Sequence, residues 1–190
     1  MPTAIDASSV AGLVALGAFT IQILLGLLLS VGYNPLRKWP RRRIKLFTLH
    51  NWLAYLALAT ALAHPLILLL SSTARFTLLD IVIPINAPAQ AFESTLGALA
   101  LYLVVVVVLT SYFRRLVAHH TWKLLHYLSY VAAAVFFVHG LLEDPNLKSL
   151  PIDWIDAEKV YIEGCAVLVA GATIARIKYR RGPRGVARHA

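Results

Sequence analysis

Hydrophobic positions in this chain do not alternate with polar ones at the period of a strand, and they do not form the single stripe of a surface helix. They run together in long uncharged blocks. A helix needs about 20 apolar residues, at about 1.5 Å each, to cross about 30 Å of hydrocarbon. Five blocks are of that order, at about residues 10–31, 46–70, 97–113, 124–142 and 160–177. The pattern predicts an all-α fold, a polytopic bundle of five transmembrane helices. The first block is not expected to be a signal peptide. It lacks a basic leading region, runs longer than a signal's apolar core and starts behind Asp6.

The intervening segments differ in kind. Residues 72–96 are semi-apolar and predict a surface-lying or folded-back segment, because Pro84 and Pro88 oppose a further span. Residues 143–159, with Pro145, Pro151 and Trp154, predict a second cover at the same end of the bundle. No internal repeat of sequence, glycine-rich phosphate loop or low-complexity tract is present.

Composition agrees with the membrane reading: 59% of residues are hydrophobic and 14% charged, against about a quarter charged in soluble domains. The net charge of +9, from 18 basic and 9 acidic residues, would suggest nucleic acid in a polar protein. The positions of the charges say otherwise. Fifteen basic residues and no acid fall in the segment 32–45 (Arg37, Lys38, Arg41, Arg42, Arg43, Lys45), the segment 114–123 (Arg114, Arg115, Lys123) and the tail (Arg176, Lys178, Arg180, Arg181, Arg184, Arg188). The other side carries Arg75, Lys148, Lys159 and all nine acids. The positive-inside rule then places the N-terminus outside and the C-terminus in the cytoplasm. The expected location is the inner cell membrane, crossed several times. Residues 1–178 are read as one membrane domain and 179–190 as a basic, disordered tail that meets the lipid surface. A single Cys excludes an internal disulfide framework and cysteine-based zinc or iron–sulfur sites.

Of seven histidines, four fall in two of the predicted helices: His50 and His64 in the second, His126 and His139 in the fourth. Ionisable groups within spans are costly and mark function by default. The two helices run in the same direction, and separations of 14 and 13 residues correspond to about 20 Å along the axis. The histidines thus form two levels, one near each membrane face. Facing neutral imidazoles suit a six-coordinate haem iron, which transfers electrons rather than binding substrate. Ala57, Ala59, Ala61 and Ala63 in one helix, and Ala132, Ala133 and Ala134 in the other, leave room for a flat ring. Zinc, which needs three or four clustered ligands, fits less well. A proton relay lacks intramembrane carboxylates apart from Glu163. The 13-residue gap leaves His126 and His139 about 140° apart around an ideal helix. It therefore predicts either a local distortion, with Gly140 supplying freedom, or two differently oriented approaches.

The segment Lys45-Leu-Phe-Thr-Leu-His50, with 13 residues between His50 and His64, and Trp122-Lys-Leu-Leu-His126-Tyr-Leu-Ser-Tyr130, with 12 residues between His126 and His139, resemble the ferric reductase-like transmembrane domain. That family includes ferric reductases, NADPH oxidases and the haem subunit of a periplasmic methionine sulfoxide reductase system. The resemblance covers about residues 10–178 and implies two haem b groups, an inner one on His50 and His126 and an outer one on His64 and His139. The 14/13 spacing is normal in its two-haem branch. Larger members continue into a flavin and nicotinamide domain, whereas this chain extends about a dozen residues past its last predicted helix. The expected partners are therefore the bilayer, a separate cytoplasmic flavoprotein or a quinol as donor, and an outer-face acceptor, a periplasmic protein being one such. Flavin is expected only through a partner or weakly bound, and nucleic acid is not expected.

The expected function is transmembrane electron transfer to ferric iron or dioxygen, as an oxidoreductase component with no catalytic side chain assigned. Two alternatives are a haem subunit for a periplasmic reductase and, from another class, a metal transporter or assembly factor. Secondary candidates for haem carboxylates or partners are His119, His120, Arg41, Arg42, Arg43, Arg115, Lys123, Arg75 and Lys148. Phe136 and Phe137 fall between the levels, Trp52, Tyr55, Tyr127 and Tyr130 are read as packing or interfacial aromatics, and Cys165 as a small buried hydrophobe.

Overall fold

The apolar blocks become helices whose ends are fixed by local polar chemistry. In the computed structural model, which describes residues 3–33, 45–148 and 151–181, α1 spans Ala4–Ser30. It starts six residues before its apolar block because Thr3 and Asp6 cap it reciprocally. Thr3 Oγ accepts the Asp6 N–H at 3.2 Å, and the Asp6 carboxylate accepts the Thr3 N–H at 2.7 Å. Helix α2 (Leu46–Ile67) ends in a 3-10 turn at Leu68–Leu70. The semi-apolar segment holds the short α3 (Leu78–Val82), opened by the same device in Thr77 and Asp80. Hydrogen bonds from Thr77 hold the Asp80 carboxyl below its ordinary range. A 3-10 turn begins at Pro84, and neither piece is a span.

Helices α4 (Ala91–Tyr112), α5 (His119–Leu142) and α6 (Ala157–Arg181) complete the bundle. Each begins before its apolar block, because a polar first turn outside the hydrocarbon costs little. Helix α6 also runs on through Arg181, so residues 179–181 of the predicted tail are helical. Arg37, Lys38, Arg41, Arg42, Arg43, Arg184 and Arg188 lie outside the described residues. Five helices are long and apolar enough to cross a membrane, and no strand occurs among the described residues. The chain is a multi-pass membrane bundle.

Packing divides the long helices into two hairpins. Helix α1 lies along α2, α4 lies along α5, and α6 rests on α1 and α5. The backbones of α2 and α5 barely approach each other, so an interval between them is spanned by side chains. The core joins Leu16, Phe19 and Ile23 of α1 to Ala132, Ala133 and Phe137 of α5 and to Ile162 and Cys165 of α6. Small residues let helices approach where no water drives them together. Ala57, Ala61, Ala132 and Ala133 are buried, as a tight interior requires. Ala59 and Ala134 are exposed on the opposite faces, so they leave no room for a ring.

Two polar clamps tie the ends. The Gln90 side chain exchanges two hydrogen bonds with the backbone of Asp144, at 3.0 and 2.8 Å, joining the start of α4 to the end of α5. At the opposite end Arg176 donates to Ser30 Oγ at 2.8 Å and Arg180 to the Ser30 carbonyl at 3.1 Å, capping α1 from α6. Ala132 is fully buried, so Ala132→Leu is expected to overpack the bundle and destabilise it by about 1–3 kcal/mol. Ala134→Leu, on the exposed face, is expected to leave stability unchanged. Thermal unfolding of the two variants in detergent checks the contrast.

Candidate functional site: two histidine pairs on α2 and α5

The four intramembrane histidines meet in two pairs. His50 faces His126 with ring centres 6.3 Å apart, and His64 faces His139 at the same 6.3 Å. The ring planes are inclined by 58° and 66°. Helix α5 is continuous from His119 to Leu142, so no break absorbs its 13-residue gap. The two imidazoles leave α5 on different faces and still reach α2, because the two helices stand apart. Gly140 is not a hinge. A Cβ there would lie 3.1 Å from Ile162 Cδ1, so its glycine serves the approach of α6.

At the His64–His139 level each ring has a backbone partner from a neighbouring helix. His64 Nδ1 donates to the Ser8 carbonyl at 2.7 Å, and Ser8 Oγ returns a bond to the His64 carbonyl at 2.7 Å. His139 Nδ1 donates to the Glu93 carbonyl at 2.8 Å. The bond to Ser8 selects the His64 tautomer that leaves Nε2 with its lone pair, the form that binds a metal, whereas His139 pairs through its Nε2 with Glu143. Glu143, one turn after His139, brings Oε2 to 2.8 Å from His139 Nε2. Ligand atoms of His64, His139 and Glu143 lie within 4.8 Å of one another. Lys159 is buried beside them and donates to the carbonyls of Gly140 and Glu143 at 2.8 and 2.5 Å, closing the last turn of α5.

Two partly open pockets flank this pair. One lies against α1 and α6 (Gly12, Leu16, Ile162), the other against α3 and α4 (Ile81, Gly97, Leu101). Both are bordered by His64, His139 and Phe136. The Phe136 ring also meets Phe19 edge-on at 6.2 Å.

The His50–His126 level is held by side chains instead. The Gln22 amide lies 3.1 Å from His50 Nε2, while Gln22 Oε1 and His50 Nδ1 are buried without a partner. An amide's oxygen and nitrogen exchange by a half-turn. With Oε1 toward the ring, Nε2–H is satisfied and Nδ1 keeps a free lone pair. Ser111 Oγ lies 3.3 Å from His126 Nδ1, and Trp122 stacks on His126 with ring centres 5.3 Å apart.

The secondary candidates divide. His119, His120, Arg115, Lys123, Arg75 and Lys148 are exposed, and Arg41, Arg42 and Arg43 lie outside the described residues. Trp52, Tyr55 and Tyr127 are exposed toward lipid, while Phe137 and Cys165 are buried in the core. Glu143 and Lys159 appear in the sequence only as charges of one end. The four-residue step from His139 to Glu143 at a helix terminus is the signal for the first.

The family model of the ferric reductase like transmembrane component matches residues 11–137. The chain belongs to that family. The match takes in His50, His64 and His126 and stops two residues short of His139. Comparison with curated proteins and with solved structures gave no match. Ferric reductase-like domains generally bind haem, and the family assignment makes transmembrane electron transfer the general activity of this one.

Removing the Lys159 ammonium leaves two part-buried carbonyls at the end of α5, those of Gly140 and Glu143, without this donor. Lys159→Met is expected to destabilise the protein by about 1–3 kcal/mol. A lowered midpoint of thermal unfolding in detergent is the expected reading, and an unchanged one would mean that the cap contributes nothing.

Proposed function

We propose that this ferric reductase-like chain carries electrons across the membrane through two b-type haems, an inner one between His50 and His126 and an outer one between His64 and His139. The repeated 6.3 Å separation of ring centres carries the reading. Imidazole binds a first-row metal at about 2.0–2.1 Å, and with about 1.1 Å from nitrogen to ring centre, two imidazoles on one metal stand about 6.3 Å apart. The orphaned Nδ1 of His50 and the paired cavities beside His64 and His139 fit the same groups. When bound, haem with two imidazole ligands supplies a one-electron iron couple with no open position.

The chain's own residues supply position and environment. Ser8, Glu93 and Gln22 hold the orientations of the imidazole rings. Phe136 fills the space beside His139, with ring centres 6.3 Å apart. The positive-inside distribution puts the His64–His139 level at the outer face of the inner cell membrane and the N-terminus outside. The basic segments 32–45 and 114–123 then face the cytoplasm, where a separate flavoprotein or a quinol is the donor. The acceptor at the outer face is ferric iron, dioxygen or a periplasmic reductase of the methionine sulfoxide type. Residues 1–178 act as the membrane domain, with the basic tail 179–190 at the cytoplasmic surface.

The His64, His139 and Glu143 group favours a second reading, a directly bound metal ion in a transporter or assembly factor. It accounts for one level only. No third ligand joins His50 and His126 among the described residues, whereas facing imidazoles are common to both levels. Purified protein is expected to hold two low-spin haem b groups per chain. His50→Ala or His126→Ala should remove one, and His64→Ala or His139→Ala the other. An unchanged haem count in these variants would overturn the pairing.

A further inference from the structure

We infer that α1 and α4 are a matched pair of histidine-holding helices, in which a residue that engages the imidazole's second nitrogen is followed one turn later by a glycine that admits the ring. The inference rests on the haem reading above and adds the residues that hold its ligands in place.

Three of the four histidines meet the same local unit. On α1, Ser8 accepts from His64, and four residues later a Cβ at Gly12 would lie 3.0 Å from His64 Nδ1. Further along α1, Gln22 meets His50, and four residues later a Cβ at Gly26 would lie 3.3 Å from His50 Cε1. On α4, Glu93 accepts from His139, and four residues later a Cβ at Gly97 would lie 2.8 Å from His139 Cε1. The fourth place keeps the register but changes the device. Gly12 and Gly26 are 14 residues apart, and 14 residues beyond Gly97 stands Ser111, whose hydroxyl reaches His126 itself.

Helix geometry explains the unit. Residues i and i+4 lie one above the other on one face, so the group that engages the ring and the gap that admits it point at the same imidazole. Glycine is costly inside a helix, and here the cost has a return. Each ring's hydrogen bond opposes the shift that an added Cβ would demand of it. Gly164 and Gly171 on α6, where a Cβ would meet nothing within 4 Å, show that glycine alone does not mark the register. An acceptor on the second nitrogen also makes an imidazole a more basic ligand and fixes its orientation. The outer pair takes this from main-chain carbonyls, which no substitution removes. For His50 it comes from the side chain of Gln22, which substitution does remove.

The test compares purified wild-type protein with Gly12→Val, Gly26→Val, Gly97→Val, Gly171→Val and Gln22→Leu. Haem per chain, the electron paramagnetic resonance of the ferric state and a redox titration are measured. Gly12→Val and Gly97→Val should each lose the outer haem and keep the inner one, Gly26→Val the reverse, and Gly171→Val should keep both. The retained haem reports that the bundle has folded. Gln22→Leu should keep both haems and raise the midpoint potential of one of them, leaving the other in place. Two haems with unaltered resonances and potentials in all the glycine variants would overturn the inference. So would loss of both haems together in each of Gly12→Val, Gly26→Val and Gly97→Val, which would assign these glycines to general packing. A wild type without haem would instead overturn the haem reading itself.

Discussion

An imidazole inside an apolar bundle has two ring nitrogens to satisfy and no water with which to satisfy them. Four such rings lie on α2 and α5, and much of the remaining architecture answers their requirements. One nitrogen of each ring meets a group on α1 or α4. The second nitrogen of His139 meets Glu143, and the rings of each level face each other across the interval between α2 and α5. That interval exists because these two helices pack against different neighbours, α1 and α4, and not against each other.

The division of labour gives the bundle a hidden repeat. Each hairpin consists of a supporting helix followed by a histidine-bearing helix, and each supporting helix meets its partner's rings at positions 14 residues apart. Helix α6 is the fifth element, outside the repeat. It closes both ends, with Lys159 on the final turn of α5 and with Arg176 and Arg180 on the final turn of α1. The result places a buried cation and the Glu143 carboxylate next to one histidine level and none of comparable burial next to the other among the described residues.

Much of this was legible in the sequence. Uncharged blocks announce spans because hydrocarbon allows little else, and the histidines stand out because ionisable groups are rare there. What remained illegible was cross-helix detail. The carbonyls of Ser8 and Glu93 carry no side-chain signature, and the role of Gly97 depends on a ring from another helix lying against it. No sequence repeat betrays the two hairpins, since a hydroxyl at Ser111 does in one place what Gln22 and Gly26 do together in another. The alanines were half readable: Ala57 and Ala132 face inward, but Ala59 and Ala134 face outward, because a run of alanines does not reveal which of its members points at the partner. The 13-residue gap left two alternatives, a distorted helix or two differently oriented approaches, and the continuous α5 leaves the second, since the interval is wide enough for side chains to span.

The most direct test of the account is a redox titration of the purified wild-type chain followed by its optical and electron paramagnetic resonance spectra. Two one-electron transitions, each with the signature of low-spin iron between two imidazoles, are the predicted result. A single transition, a high-spin signal, or a chain that carries a non-haem metal and no haem would contradict it.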